Sequence, residues 1–232
     1  VSIPVLGVAI LNRPDLLDQM LASIDVPVEQ IVVVDNGGVA DNIGSPGLLR
    51  DIRINPGHNL GVAASWNLVF KSTPLAPWWC IVGSDVRFPE QGGTLQRLAD
   101  EMNAATGPLF VAVGTYSCFA INAAALQLVG LFDENFIPAY YEDNDYSRRI
   151  ELAGVPRINH APALFHELSS TINSDEHLKM ENSRTFFENQ TYYQVKWGGN
   201  PLYEKFATPF DKGGDIRDWA LDFDRLRRLT WR

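Results

Sequence analysis

Apolar positions in the first half of the chain switch between two spacings. Residues 4–11 form a continuous apolar run, as expected of a strand buried on both faces. Asn12-Arg13-Pro14-Asp15 interrupts it. Leu16, Leu17, Met20, Leu21 and Ile24 then recur at helical spacing, and Pro14 suits the start of that helix. Residues 30–34 read as a second buried strand, stopped by Asp35-Asn36-Gly37-Gly38. Residues 51–55 read as a third, ended by Pro56-Gly57, and Gly61 opens a helix over 62–71. A fourth strand over 78–82 stops at Gly83-Ser84-Asp85, and a helix follows over 94–105. Further strands are predicted at 109–113 and 117–121. Strands alternating with helices predict an α/β fold, a mainly parallel sheet with helices on both faces. Ligands of such sheets bind beyond the carboxyl ends of strands. Asn12, Asp35 and Asp85 are all expected there.

After about residue 130 the pattern changes. Residues 132–136 read as a loop, and 142–153 as a helix ended by Gly154. A long helix over 175–196 is expected, capped by Ser174 and stopped by Gly198-Gly199. A last helix over 215–229 would place Ile216, Trp219, Phe223 and Leu226 on one face. This divides the chain into a main domain, 1–170, and a helical extension, 171–232, packed on it.

Composition fits a globular protein: 46% of the 232 residues are hydrophobic and 20% charged. The net charge of −9 makes a general nucleic-acid-coating role unfavourable, because such a surface repels polyanions. Cys80 and Cys118 sit in apolar runs, which predicts buried thiols in a reducing compartment. No stretch reaches the roughly 18–20 apolar residues of a membrane span, and the first residues read as a strand rather than a signal peptide. A cytoplasmic protein is expected, and the sequon Asn189-Gln190-Thr191 then carries little weight.

Several chemistries lack their motifs. There is no G-x-x-x-x-G-K-S/T phosphate loop, no G-x-G-x-x-G after the first strand, no H-E-x-x-H and no G-x-S-x-G elbow. A set of carboxylates and one histidine remains. Asp35 can accept bonds from a ribose or base, or simply brace a turn. Asp85 can be a first ligand for a hard cation, or a turn residue. Glu142, Asp143 and Asp145 crowd three acids into four residues after Tyr140-Tyr141. They can pair with Arg148 and Arg149 along the helix, or hold one carboxylate as a general base in a semi-buried cleft. His166 can complete a metal site with Asp85 or be structural. Trp197 can stack on a sugar from the acceptor side, as can Tyr141, or lie buried at a helix end.

In order along the chain stand VAILNRPDLL, IVVVDNGG, NPGHNLGVAASWN, IVGSDVRF, GLFDENFIPAYYEDNDYSRRIELAG and ALFHELSST. Together they resemble the family 2 glycosyltransferases of the GT-A fold, in particular compact bacterial and phage-type members. The resemblance implies a Rossmann-like domain whose residues 1–90 bind a nucleotide-sugar and whose residues 91–170 face the acceptor. It implies that Asn12 and Asp35 hold the base and ribose, and that Asn59 and Gly61 shape a loop over the nucleotide. Ser84 and Asp85 would meet the diphosphate, with Asp85 and His166 binding a divalent metal, Mn²⁺ or Mg²⁺. Asp143 would be the general base, with Glu142 its companion acid. Gly83 stands where the family's D-x-D motif has its first acid.

The implied activity is inverting transfer of a sugar from a UDP-, GDP- or dTDP-linked donor to an acceptor hydroxyl. The acceptor is a carbohydrate or another hydroxyl-bearing molecule, a modified nucleobase among them. A non-catalytic nucleotide-sugar or carbohydrate binder on the same fold is the alternative, favoured by the missing first acid. A nucleotidyltransferase ranks below both, because Asn12-Arg13-Pro14-Asp15 makes a poor triphosphate loop.

Overall fold

The computed structural model describes residues 2–40, 51–90, 92–161, 163–167 and 175–217. The apolar runs of the first half become four strands, β1 (Leu6–Ile10), β2 (Ile31–Asp35), β3 (Asp51–Ile54) and β4 (Trp78–Gly83). Helices α1 (Pro14–Ala22) and α2 (Val62–Ser72) lie between them. The chain continues through β5 (Val86–Arg87), α3 (Thr94–Ala104), β6 (Phe110–Val113), β7 (Thr115–Asn122) and α4 (Ala123–Val129). Then follow α5 (Glu142–Leu152), β8 (Arg157–His160), β9 (Phe165–His166), α6 (Glu176–Trp197) and a short 3₁₀ turn, Pro209–Asp211.

Seven strands make one sheet in the order β3-β2-β1-β4-β7-β6-β8. β7 pairs antiparallel with both β4 and β6, and the other neighbours are parallel. Side chains alternate between the two faces. Leu6, Val8 and Ile10 join Leu17, Met20, Leu98 and Met102 on the α1 and α3 side. Val32, Val34 and Ile81 join Trp66, Phe70, Phe132 and Tyr146 on the side of α2, α4 and α5. Cys80 and Cys118 are buried free thiols in the first of these layers. α2 packs so close to β1 that a Cβ on Gly7 would come within 2.5 Å of Val69 Cγ1.

β4, β5 and β9 decide where chemistry can happen. Parallel pairing sets Ile10 beside Asp35 and Ala9 beside Gly83, so the carboxyl ends of β1, β2 and β4 share one rim. Strand order turns there, with β2 on one side of β1 and β4 on the other, and the crevice between is the ligand-binding position of open α/β sheets.

Four elements went beyond the hydrophobic pattern. α4 was not expected; Asn122 caps it by accepting from the Ala125 N–H at 2.9 Å. β8 was missed because its sequence, RINH, has no apolar run. β5 and β9 are two residues each, too short to carry a period. α6 starts as expected, but Asp175 is its cap, accepting from Leu178 N–H at 3.0 Å, while Ser174 lies outside the described residues. Gly198, at φ 74°, ends it. The helix expected over 215–229 lies almost wholly outside the described residues.

α6 is fastened to the main domain by buried charge. Lys196 Nζ lies 2.7 Å from Asp133 Oδ2 and 2.6 Å from Asp145 Oδ1, and these side chains are at most 1% exposed. Arg149 Nε donates to Asp145 Oδ2 at 2.9 Å, and its NH1 reaches the carbonyls of Val129 and Leu131. The Tyr192 hydroxyl donates to Asp133 and the Trp197 indole N–H to Asp145. Burial alone would raise the Asp133 carboxyl, but Lys196, the Asn135 N–H and the Tyr192 hydroxyl outweigh it and hold the group below its ordinary range. Removing one partner strands a buried charge. Lys196→Ala is therefore expected to lower the unfolding free energy by about 3–5 kcal/mol in urea titration, and a loss below about 1 kcal/mol would contradict this account.

Candidate functional site

A cavity of about 210 Å³ opens at the crevice between β1 and β4. Its floor is Ala9, Ile10 and Leu11 at and just past the end of β1, and Val82 to Asp85 at and just past the end of β4. One wall is the loop and first turn of α2, with Asn59, Gly61, Val62 and Trp66; the opposite wall is Pro138 and Ala139, and Leu178, Glu181 and Asn182 of α6 roof it.

The Asn59 wall is built by short polar contacts. Asn59 Oδ1 accepts the Gly61 N–H at 3.0 Å, and Asn36 Oδ1 accepts the Leu60 N–H at 3.0 Å. Asn36 Nδ2 also donates to Ser65 Oγ at 2.8 Å. Gly61 sits at φ 79°, and a Cβ there would be 2.7 Å from the Pro138 carbonyl. Only glycine lets α2 approach the opposite wall, where Val62 N–H meets that same carbonyl.

The ribbon of β5 and β9 brings the distant histidine to the rim. Val86 pairs with His166, and the Glu167 N–H donates to the Asp85 carbonyl. His166 Nε2 then stands 3.4 Å from Asp85 Oδ1. Among the described residues no group of three or more His, Cys, Asp or Glu forms a closed metal cage. A carboxylate and an imidazole placed together would hold a divalent cation as one oxygen and one nitrogen ligand, with a phosphate ligand supplying further oxygens. Gly83 leaves this corner narrow, because a Cβ there would lie 3.0 Å from Asp85 Oδ1.

Asp35 is placed differently from the expectation of an open ribose ligand. It is 3% exposed, and its two oxygens accept the N–H groups of Val39 and Ala40 at 3.0 and 2.8 Å. Its neighbour Asn36 lines the cavity instead. Asn12 follows Leu11 just past the strand end and is half-buried, outside the lining.

The acid cluster forms the first turn of α5, entered through Tyr141 at φ 73°. The preceding loop is pinned from outside, since Asn189 Nδ2 of α6 donates to the carbonyls of Ala139 and Tyr140 at 2.9 and 3.1 Å. Asp145 belongs to the buried charge network. Glu142 is 6% exposed, and its Oε2 has no hydrogen-bond partner among the described residues. Burial, reinforced by the Asp143 charge, pushes its carboxyl up to about 8. Asp143 is half-buried, with Oδ1 accepting the Asn144 N–H at 2.8 Å, and burial raises it too, against the pull of Arg157. Glu142 and Asp143 follow the Pro138–Ala139 wall by way of Tyr140 and Tyr141, and none of these four residues lines the cavity.

Of the two readings of Trp197, the structure shows the buried helix end and not the acceptor-side platform. The residue is 0% exposed and its indole is spent on Asp145, so it closes a helix end in the core. Tyr141 is also buried, packed on Phe186 and Tyr193. Asn36, Trp66, Glu181 and Asn182 line the cavity without having been singled out. Asn36 was adjacent to a recognised residue; nothing in the sequence marked the pair from α6.

The Glu142 carboxyl yields a stability prediction. A carboxyl with a raised folded value holds its proton more tightly folded than unfolded. Its stabilising protonated state is lost as pH climbs from the ordinary carboxylate range through about 8. Glu142→Gln cannot titrate. Its Tm should match that of the wild type near about pH 5 and exceed it increasingly toward about pH 9, as read by thermal denaturation. A Tm difference independent of pH would contradict the burial of this acid.

No protein-family model matches the chain. Among curated proteins it is similar to a galactofuranosyl glycosyltransferase of Leishmania donovani, 30% identical over 138 residues. That match covers 49% of this chain and 31% of the relative, so the chain spans about a third of the curated protein it matches. Among solved structures it resembles S. aureus TarS, with a TM-score of 0.57 and 13% identity, covering 99% of this chain and 44% of that one. It also resembles glucosyl-3-phosphoglycerate synthase of Mycobacterium tuberculosis, solved with Mn²⁺, UDP and phosphoglyceric acid. There the TM-score is 0.51 and the identity 11%, covering 81% of this chain and 78% of that one. With its seven-stranded sheet flanked by helices, the chain carries the GT-A fold of glycosyltransferases.

Proposed function

We propose that the protein transfers a sugar from a nucleotide-sugar donor, UDP-linked in the first instance, to an acceptor hydroxyl, with inversion at the anomeric carbon. The observation that carries this reading is the cavity at the strand rim, lined by Asp85, whose carboxylate has His166 beside it at 3.4 Å. A UDP complex of a structural neighbour supports the choice of donor. The main domain, 1–170, carries the proposed metal corner and base, α6 of the extension adds to the cavity lining, and the buried thiols of Cys80 and Cys118 suit a cytoplasmic setting.

In this reading the base and ribose lie toward Asn12 and the turn that Asp35 braces, beneath the Asn59–Gly61 loop. Ser84 and Asp85 meet the diphosphate, and Asp85 and His166 hold Mn²⁺ or Mg²⁺. When bound, that cation neutralises charge on the diphosphate. Asp143 takes the proton from the acceptor hydroxyl as its oxygen bonds to C1. The C1–O bond to the diphosphate breaks, and its electron pair leaves with the phosphate oxygen. The raised Asp143 carboxyl is a better proton acceptor than an ordinary surface aspartate. Glu142, held protonated by burial, adds no second negative charge beside it. The acceptor is a carbohydrate or another hydroxyl-bearing molecule, a modified nucleobase included.

Two outcomes test this assignment. Asp143→Asn should cut transfer by about 10²–10⁴-fold while leaving UDP binding by calorimetry unchanged. Full transfer by that variant removes Asp143 as base, and saturable nucleotide-sugar binding without turnover by the wild type makes the protein a binder. Separately, transfer should require added Mn²⁺ or Mg²⁺ and stop with chelator. Asp85→Ala and His166→Ala should each raise the Mn²⁺ needed for half-maximal rate by at least the ~10–100-fold that even an outer-shell change costs. Rates indifferent to chelator and to both variants would reject the metal site.

A further inference from the structure

α6 presents one continuous inward face, Leu178, Asn182, Thr185, Asn189, Tyr193 and Lys196, at spacings of three or four. Thr185, Asn189, Tyr193 and Lys196 are buried, and their polar groups are all satisfied. The Thr185 hydroxyl donates back to the Glu181 carbonyl, Asn189 to three loop carbonyls, the Tyr193 hydroxyl to Glu204, and Lys196 to two carboxylates. Asn182 breaks that rule. Its Oδ1 is buried yet accepts no hydrogen bond among the described residues, and the residue lines the cavity with Glu181 beside it. A buried polar group left unpaired costs free energy comparable to a lost hydrogen bond, so an orphaned amide on a residue that lines a ligand cavity gains a partner by turning toward a ligand there.

We infer that Asn182, assisted by Glu181, is a specificity-determining residue that reads hydroxyl groups of the transferred sugar from the α6 side of the cavity. The chemistry matches: an amide offers both donor and acceptor, a carboxylate accepts, and a sugar hydroxyl needs both. The position matches too. The floor and the Asn59 wall belong to the nucleotide and diphosphate in the reading above, which leaves the α6 roof, next to the Pro138–Ala139 wall that leads into Asp143, for the sugar. This inference rests on that reading of the cavity as a nucleotide-sugar site.

The test is calorimetric titration of UDP, UDP-galactose, UDP-glucose and UDP-N-acetylglucosamine, each with Mn²⁺, into wild type, Asn182→Ala and Glu181→Gln. The wild type should bind at least one UDP-sugar more tightly than UDP. Asn182→Ala should lose about tenfold of that sugar-dependent gain, keep UDP affinity within about twofold, and narrow the preference among the three sugars. Glu181→Gln should lose part of the gain. Equal affinities of Asn182→Ala and wild type for every UDP-sugar overturn the role of Asn182 alone, as does an equal loss for UDP and UDP-sugar. A wild type that binds neither UDP nor any UDP-sugar, with circular dichroism showing it folded, overturns the cavity reading and this inference with it.

Discussion

The architecture depends on one buried exchange of charge, Lys196 between Asp133 and Asp145 with Arg149 closing the other side. Ions brought into a protein interior lose several kcal/mol of hydration each, and mutual attraction restores this only when every partner is in place. The network is therefore all-or-none. It reaches α6 through Lys196, α5 through Asp145 and Arg149, and the loop before α5 through Asp133 and the carbonyls of Val129 and Leu131. Stacking of Phe132 on Tyr146, with ring centroids 3.8 Å apart, closes the apolar side of the same joint. The first turn of α5 inherits its position from that joint.

The joint also settles a conflict that the sequence poses. Three carboxylates within four residues should repel one another, and a helix N-terminus offsets only part of that. The fold gives each acid a different environment. Asp145 points into the network and shares Arg149, Lys196 and Trp197. Glu142 is buried with its Oε2 unpartnered among the described residues and keeps its proton up to about 8. Asp143 stays half-buried between them, raised by burial and drawn back by Arg157. Groups of one chemical type acquire separate roles when their surroundings push their proton affinities apart.

Much of this was legible beforehand, and the reason differs by element. The strands β1, β2 and β4 are buried on both faces, so their apolar runs are unbroken and their ends lie beside Asn12, Asp35 and Asp85. β8 was illegible because an edge strand needs only half its residues buried. The meeting of Asp85 and His166 depends on a ribbon of two-residue strands, for which no periodicity exists. In the sequence their pairing was one of two readings of His166, and the family resemblance implied it. Asp35 and Trp197 each kept two readings for a common reason. A polar or aromatic residue at an element's end has the same sequence signature whether it faces a ligand or closes a turn, and only burial separates the two.

The inward face of α6 was illegible for a further reason: it is written in polar residues. Thr185, Asn189, Tyr193 and Lys196 occupy positions where a hydrophobic stripe would normally announce packing, so the helix reads as solvated all round. Such a face is stable only where each polar group finds a partner of matching geometry, which makes it intolerant of substitution along its length. The parallel rim beneath it is the opposite kind of construction. Its strand ends, its glycines and its backbone N–H groups follow from the fold itself, as they do in any sheet of this strand order. A floor fixed by topology and a roof fixed by individual side chains divide the work unequally. In the proposed function the floor receives the nucleotide diphosphate, whereas discrimination between one hexose and its epimer requires a side chain aimed at one hydroxyl, the part proposed for α6.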